Sequence, residues 1–368
     1  MGMRFGDSLQ VTLFGESHGS CVGALIEGMP AGTPIDPAAL AEDIARRRPG
    51  RKGLSTRSER DECEILSGVY EGRATGWPIL LLTRNSDVRS SDYSFLPDHP
   101  RPGHADMAEG IRLDGANDPR GGGSQSARLT FGLVSAGSQV RTLLDGVGWS
   151  CAAHLHSIGE VSAKPLFELD RAAALDPASD MGRLNCRDPE AAARMSEYLE
   201  SVRKELDTVG STVELLIEGL PIGVGEPWFD GIEPALARGL MAIPGARAIE
   251  FAHGVDSSSM RGSQHNDAWL PGDTEPVLEG AQTGQADGIL GGRSVSAPIR
   301  AKVHFKPPSS LPREQFTLHL PSNQVRPLKV GGRHDPVIGP RATPIVEAVA
   351  MLVIADLGML GGFIGEAE

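Results

Sequence analysis

The sequence predicts an α+β sandwich made of two related, strand-rich halves with helical segments buried between sheets. Three observations predict it. Alternating apolar residues recur in both halves, four short segments echo one another in order, and a C-terminal stretch is apolar on nearly every side.

Leu9, Val11 and Leu13 alternate with Gln10 and Thr12, so 8–14 reads as a strand. A turn from Gly15 to Gly19 leads into "CVGALIEG", a second strand. Asp36 then offers an N-cap, Pro37 supplies the fixed φ of a first helical residue, Leu40 and Ile44 make the apolar stripe, and Pro49 stops the helix. Arg46, Arg47 and Arg48 fall in its last turn. Asp188-Pro189 opens another helix, on which Met195, Leu199, Val202 and Leu206 follow a four-three-four spacing up to Gly210. Val213, Leu215 and Ile217 repeat the strand alternation. From Thr343, "TPIVEAVAMLVIADLGML" is apolar nearly all round, and a helix so composed must be covered on several sides, as it is between sheets.

The echo links the halves. "LIEGMPAG" from Leu25 returns as "LIEGLPIG" from Leu216, Pro49-Gly50 as Pro244-Gly245, "GRATGWPI" from Gly72 as "GRSVSAPI" from Gly292, and "HAD" at His104 as "HD" at His334. Matching order with slowly growing separation is what duplication followed by loop insertion leaves. The halves are 8–145 and 211–360. The turns are too short for interdomain linkers, so 1–368 is expected to form one domain.

The chain has 368 residues, 40% hydrophobic and 23% charged, which suits a large buried core. No apolar run approaches the roughly 20 residues of a membrane span, and "MGMRFGDSLQ" is too polar for a signal peptide, so a cytoplasmic protein without a membrane partner is expected. Cys21, Cys63, Cys151 and Cys186 stand far apart without a CxxC pair, which suggests neither zinc nor a disulfide framework. Net charge is −13, yet "RRRPGRKGLSTRSER" carries seven Arg or Lys against one Glu. Such a basic island on an acidic protein suits a small polyanion better than a nucleic acid.

Three stretches carry possible chemistry. "GESHG", 15–19, fits the G-x-S-x-G pattern of a nucleophile elbow, but an elbow requires a helix after the Ser, and here a strand follows. His18 is then the more informative residue, an imidazole in a glycine-flanked turn. "DPRGGGSQSARLT", 118–130, places three glycines before Ser124, Ser126 and a helix, so its backbone N–H groups could meet a phosphate. It lacks the Lys of a Walker A loop, and no Rossmann fingerprint is present. "KVGGRHDP", 329–336, and "RPGHAD", 101–106, each combine Arg, His and Asp. His154 and His156 form an H-x-H without the ligand spacing that completes a metal set, so no metal site is expected.

"FGESHG", "RRRPG", "RPGHAD", "RGGGSQSAR", "GILGG", "KPPSS" and "GRHDP…PRATPIVEA" occur in the order and spacing of the chorismate synthase family, and the resemblance covers essentially the whole chain. It implies helical layers between antiparallel sheets, internal pseudo-twofold duplication and a homotetramer. It also implies an anti-1,4-elimination that converts 5-enolpyruvylshikimate 3-phosphate to chorismate and phosphate. Reduced FMN is required without net redox change, with NADPH as an indirect source of its electrons.

By position, the resemblance implies that His18 protonates the departing phosphate and that His104 sits near the flavin and protonates its reduced anion. Asp335, with Ser17, would relay the ring proton. Arg47, with Arg48 and Arg51, would hold the substrate's anionic groups. Ser124, Gln125, Ser126, Arg128, Gly291, Lys306, Pro307, Pro308, Ser309, Ser310 and Arg333 would serve FMN and substrate binding. Gly53, Ser124, Gly284, Asp287 and Pro244-Gly245 depart from the residues more usual in that family. The alternative reading is a small-molecule kinase or phosphate-binding module built on "GGGSQSAR".

Overall fold

The computed structural model describes residues 2–51, 53–54, 61–86, 90–170, 176, 178–280, 287–332 and 334–365. In chain order the first part comprises β1 (Arg4–Phe5), β2 (Gln10–Gly15), β3 (Cys21–Glu27), α1 (Pro37–Arg47), β4 (Glu64–Ile65), the hairpin β5 (Val69–Tyr70) and β6 (Arg73–Ala74), and β7 (Ile79–Arg84). There follow α2 (Asp106–Arg112), α3 (Thr130–Gly146), β8 (Ser150–Ile158), β9 (Val161–Ser162), α4 (Asp180–Leu184) and α5 (Pro189–Lys204). β10 (Ser211–Glu218), α6 (Ile232–Met241), β11 (Ala246–Phe251), α7 (Gly262–His265) and the ribbon β12 (Trp269–Leu270) with β13 (Val277–Leu278) continue the chain. The hairpin β14 (Ile289–Leu290) and β15 (Arg293–Ser294), β16 (Ile299–Phe305), the ribbon β17 (Gln315–His319) with β18 (Gln324–Leu328), and α8 (Gly339–Leu360) complete it.

Two five-stranded antiparallel sheets form, in the orders β1-β2-β3-β7-β4 and β11-β16-β10-β8-β9. α3 packs on the first, α8 on the second, and the two helices pack on each other, so a helical layer lies between sheets in a mixed α+β fold. Their contact is close. A Cβ on Gly137 of α3 would lie 2.7 Å from the Ala348 Cα of α8, so only glycine fits this crossing.

Local chemistry sets the helix ends. The Asp36 carboxylate accepts from the N–H groups of Ala38 at 2.8 Å and Ala39 at 3.1 Å, ahead of Pro37. Asp188 does the same for Ala191 at 3.1 Å. The α5 stripe ends at Val202, because Leu206 lies beyond the helix with φ 57° and is exposed. α8 begins at Gly339, ahead of Thr343, and its 22 residues are long and apolar enough to cross a membrane, which corrects the expectation that no run approaches that length. Here 89% of its apolar window is buried against protein.

β16 shows clean alternation, with Ile299, Ala301, Val303 and Phe305 buried. β10 does not, since every residue but Glu218 is buried. Its second face is covered as well, partly by the segment at Leu166, whose N–H donates to Glu214 at 2.7 Å. Two of the four echoed pairs occupy matching places. Ile26 in β3 pairs with Ile79 in β7, Ile217 in β10 pairs with Ile299 in β16, and a short hairpin precedes each partner strand.

Candidate active site

A cavity of about 630 Å³ opens where five segments converge: the loop before α2, the glycine turn before α3, the α6–β11 connection, the loop after β16 and the start of α8. Of the residues singled out by sequence, His104, Gln125, Ser126, Lys306, Pro308, Ser309, Ser310 and Asp335 line it. Arg101 of "RPGHAD" lines it too, and Arg247 and Arg341, which were missed, join it. Arg333 lies outside the described residues, as do Gly284, Lys52 and 55–60 of the basic island.

The glycine turn joins the two histidines. Gly121, Gly122 and Gly123 all have positive φ, and the Gly123 carbonyl accepts from the Ser17 N–H at 3.1 Å. A Cβ on Gly121 would stand 2.6 Å from His18 Cδ2 and 2.7 Å from Ser17 Oγ, and one on Gly122 would stand 3.2 Å from His104 Cε1. Bare backbone therefore separates His18 and Ser17 on one side from His104 on the other. A 3₁₀ turn, Ala127–Leu129, stands between this loop and α3, so the glycines do not open directly onto a long helix as a P-loop does. Ser17 lies between β2 and β3, a strand-to-strand turn that lacks the strand-to-helix geometry of an elbow.

His18 is held from behind, with Nδ1 3.1 Å from Ser90 Oγ and its ring edge-on to Tyr93 at 5.2 Å. Tyr93 also carries the Arg101 guanidinium 5.6 Å from its ring centroid. Arg101 Nε and Nη2 donate to the two Asp106 oxygens at 2.8 and 2.7 Å, and His104 Nδ1 lies 2.7 Å from Asp106 Oδ1. Burial raises the Asp106 pKa, but the hydrogen bonds and charges of Arg101 and His104 outweigh it and hold the carboxyl well below its usual range.

Elsewhere on the lining, Asp335 Oδ2 accepts from Arg341 Nη1 at 2.8 Å, while Oδ1 is buried without a hydrogen-bond partner among the described residues. Lys306 Nζ donates to the Gly103 carbonyl, and to Ser309 Oγ at 2.9 Å. Burial first, then the nearby Arg247 guanidinium, pull the Lys306 pKa below the ordinary lysine value. Two cations with Ser309 and Ser310 make a cationic, hydroxyl-bearing corner, and Ile243, Ile338 and Ile345 give the cavity an apolar strip.

Several residues expected to bind ligand lie away from the cavity, because partners within the chain take up their donors: a carboxylate for Arg47 and Arg128, backbone carbonyls for Arg48 and Arg51. Arg47 is fully buried, with Nη2 3.0 Å from Asp61 Oδ2 and Nη1 3.4 Å from Thr130 Oγ1. Arg128 reaches Asp61 Oδ1 from the other side and Asn85 at 3.0 Å. Arg48 donates to the Asp61 carbonyl at 3.1 Å, and Arg51 to the carbonyls of Gly182 at 2.6 Å and Arg46 at 2.8 Å. Burial, with Arg46 and Arg341 near, pulls Arg51 down to about 10. None of these four lines the cavity, nor do Ser124, Pro307 or Gly291, the last in the β14–β15 turn. Ser17 and His18 touch it only through Gly121.

The H-x-H does meet a carboxylate, across the sheet. His154 Nε2 lies 3.2 Å and His156 Nδ1 3.5 Å from Glu214 Oε2. The Arg187 N–H points at His154 Nδ1 at 3.5 Å, which makes Nδ1 an acceptor and puts the proton on Nε2, facing Glu214. A metal on Nε2 would require the opposite tautomer. The trio reads as a buried hydrogen-bond cluster.

Residues 9–359 match the chorismate synthase family. Among similar proteins, the chorismate synthase of Aeropyrum pernix is 44% identical over 355 residues, 96% of this chain and 92% of that protein. The chorismate synthase of Methanosarcina mazei is 41% identical over 365 residues, 99% of this chain and 98% of that one. A chorismate synthase crystal structure shares the fold with a TM-score of 0.72 at 23% identity, covering 98% of this chain and 94% of the other.

Proposed function

The chain belongs to the chorismate synthase family, and on that premise we propose that it is a lyase that eliminates phosphate from 5-enolpyruvylshikimate 3-phosphate to give chorismate. The reaction is an anti-1,4-elimination with reduced FMN required and no net redox change. The observation that carries this reading is the constellation at one cavity: His104 on its wall with His18 behind the same glycine turn, a carboxylate oxygen without a hydrogen-bond partner among the described residues, and a cationic corner.

The residues present fit FMN. Lys306, Arg247, Ser309 and Ser310 are suited to its phosphate, the apolar strip to a flat ring, and the bare Gly121–Gly122 backbone to close approach. When bound, reduced FMN supplies electron density that is recovered by the end of the reaction. The protein's own groups hold the protons. His18 gives one to the leaving phosphate, His104 holds one beside the flavin, and Asp335 Oδ1, with Ser17, takes up the proton lost from the ring. Arg47, one side chain away from the cavity through Thr130, contributes positive potential toward the substrate's anions.

We further assign a homotetramer in the cytoplasm with NADPH as an indirect electron source, all carried by the family resemblance. The matching strand and hairpin places of the echoed segments support an internal duplication within one domain. The test is anaerobic phosphate release from the enolpyruvyl substrate with chemically pre-reduced FMN. Release with reduced FMN only, and without flavin oxidation per turnover, is expected. Equal rates with oxidised FMN, or one flavin oxidised per product, would overturn the reading.

A further inference from the structure

His104 forms part of the wall of two cavities, the 630 Å³ cavity and a second of about 240 Å³ lined by Leu96, Pro97, Glu109, Asn117 and Pro119. A ring with open space on two sides is poorly fixed by packing, and the terminal torsion of a histidine has broad, roughly two-fold wells. Its orientation must come from hydrogen bonds. Arg101 Nη2 lies 3.1 Å from both ring nitrogens and so does not favour one over the other. Asp106 Oδ1, 2.7 Å from Nδ1, is the contact that distinguishes one nitrogen from the other.

Asp106 is itself immobilised. Its side chain is 5% exposed, Oδ2 accepts from the Arg101 backbone N–H at 3.1 Å and Nε at 2.8 Å, and Oδ1 accepts from Nη2 at 2.7 Å. An ionised carboxylate can only accept, so the nitrogen facing it must carry hydrogen. Nε2 is left on the Gly122 side, where a Cβ would stand 3.4 Å away.

We propose that Asp106 is the positioning residue for His104. It selects the Nδ1–H tautomer and leaves Nε2 as the atom through which the imidazole gains and loses a proton, the role that a buried Asp plays toward a catalytic histidine elsewhere. The tautomer rests on geometry alone, while its consequence for turnover rests on the function proposed above.

The two are tested separately. The ligand-free protein, labelled with ¹⁵N-histidine, is observed by NMR at a pH where the His104 ring is neutral, with the signals assigned by their loss in His104→Gln. A protonated Nδ1 and a bare Nε2 are expected in the wild type. In Asp106→Asn, whose amide can offer either oxygen or NH₂, the Nε2–H form should gain population, and in Asp106→Glu the wild-type pattern should return. Turnover in Asp106→Asn should fall roughly 10²-fold with the substrate KM changed less than about threefold. A wild-type spectrum with Nε2 protonated and Nδ1 bare overturns the proposal whether or not any variant folds. So does an unchanged tautomer in folded Asp106→Asn. Failure of the elimination assay in the wild type would instead overturn the function and leave the tautomer standing.

Discussion

The guanidinium of Arg47 lies 3.0 Å from the carboxylate of Asp61, and neither side chain has any exposed surface. Arg128 reaches the same carboxylate, so two buried cations share one buried anion. Burial raises the Asp61 pKa, and Arg47 and Arg128 together pull it below the ordinary carboxylate value. Removing one member of such a set leaves an uncompensated buried charge, which costs about 3–5 kcal/mol. Asp61→Ala should therefore lower the urea midpoint by that equivalent, and Arg47→Ala should show itself in stability as well as in substrate affinity. An Asp61→Ala midpoint within experimental scatter of the wild type would contradict the cluster's role.

Gly121 is the point where the backbone must come close to His18. Gly121→Ala adds a Cβ at φ 63°, a strain of about 1–2 kcal/mol, and drives it to within 2.6 Å of the His18 ring. If His18 is a general acid, displacing it should slow turnover by roughly 10²-fold or more. Gly72→Ala is the control, since Gly72 has φ 73° with nothing within 4 Å of its Cβ position. It should lose similar stability and keep its activity. Equal activity in the two variants would remove His18 from the reaction.

Much of this was legible in the sequence, and the boundary is physical. Local features were readable: the Asp36 and Asp188 caps, the prolines after them, the glycine turn and the apolar α8 all act within a few residues of themselves. What failed to show is set by partners far along the chain. The partner of Arg47 was not readable because nothing in the sequence marks Asp61, and Arg247 at the start of β11 and Arg341 in the first turn of α8 reach the cavity only because elements distant in the chain converge there. Glu214 stands beside His154 only because β10 and β8 pair. The alternation of Val213, Leu215 and Ile217 marked a strand but not that both faces of β10 are covered, because a central strand can carry the same apolar residues with polar groups satisfied between them.

Glu347 predicts the response to acid. It is buried on α8, where Arg46 Nη1 and Nη2 donate to its two oxygens at 2.9 and 3.2 Å, Arg141 Nη2 adds a third contact at 3.3 Å, and the Ala153 N–H donates at 3.1 Å. Burial raises its pKa, yet Arg46 and Arg141 bring the folded value down to about 2. A carboxyl depressed on folding contributes stability that is fully present above its unfolded value, roughly 4.3, and is lost as pH falls toward the folded value. The stability gap between wild type and Glu347→Gln should be flat from pH 7 to about 5 and close between about pH 4 and 2. A gap that widens on acidification would refute the assignment.

The Lys306 and Arg247 corner predicts cofactor affinity. A phosphate there would relieve both the desolvation of Lys306 and its repulsion by Arg247, and a charge-assisted hydrogen bond is worth about 1.5–3 kcal/mol, less at a half-exposed site. Lys306→Met and Arg247→Ala should each weaken FMN binding by roughly tenfold, read by flavin fluorescence. Unchanged affinity in both would move the FMN phosphate elsewhere.

Asp335 separates chemistry from binding. Its Oδ2 is fixed by Arg341, which also donates from Nε to the Arg47 carbonyl at 3.2 Å and so ties the base to the end of α1. Its Oδ1 is buried and lacks a hydrogen bond among the described residues, an arrangement that costs about 1–3 kcal/mol of desolvation and that folding alone gives no reason to retain. A group kept at such a cost is expected to act on a ligand. Asp335→Asn keeps the shape and an acceptor for Arg341 but removes the proton acceptor. It should fold with nearly unchanged stability, bind FMN and substrate within about threefold of wild type, and turn over roughly 10²–10⁴-fold more slowly. Arg341→Lys keeps the charge but loses the planar fork that reaches both Asp335 and Arg47, so it should slow turnover less than Asp335→Asn while lowering stability more. Phosphate release under anaerobic conditions, FMN titration and urea unfolding on the same preparations read the three quantities. A wild-type rate in Asp335→Asn would take the ring proton away from this carboxylate, and a loss of FMN binding matching the loss of rate would make Asp335 a binding group.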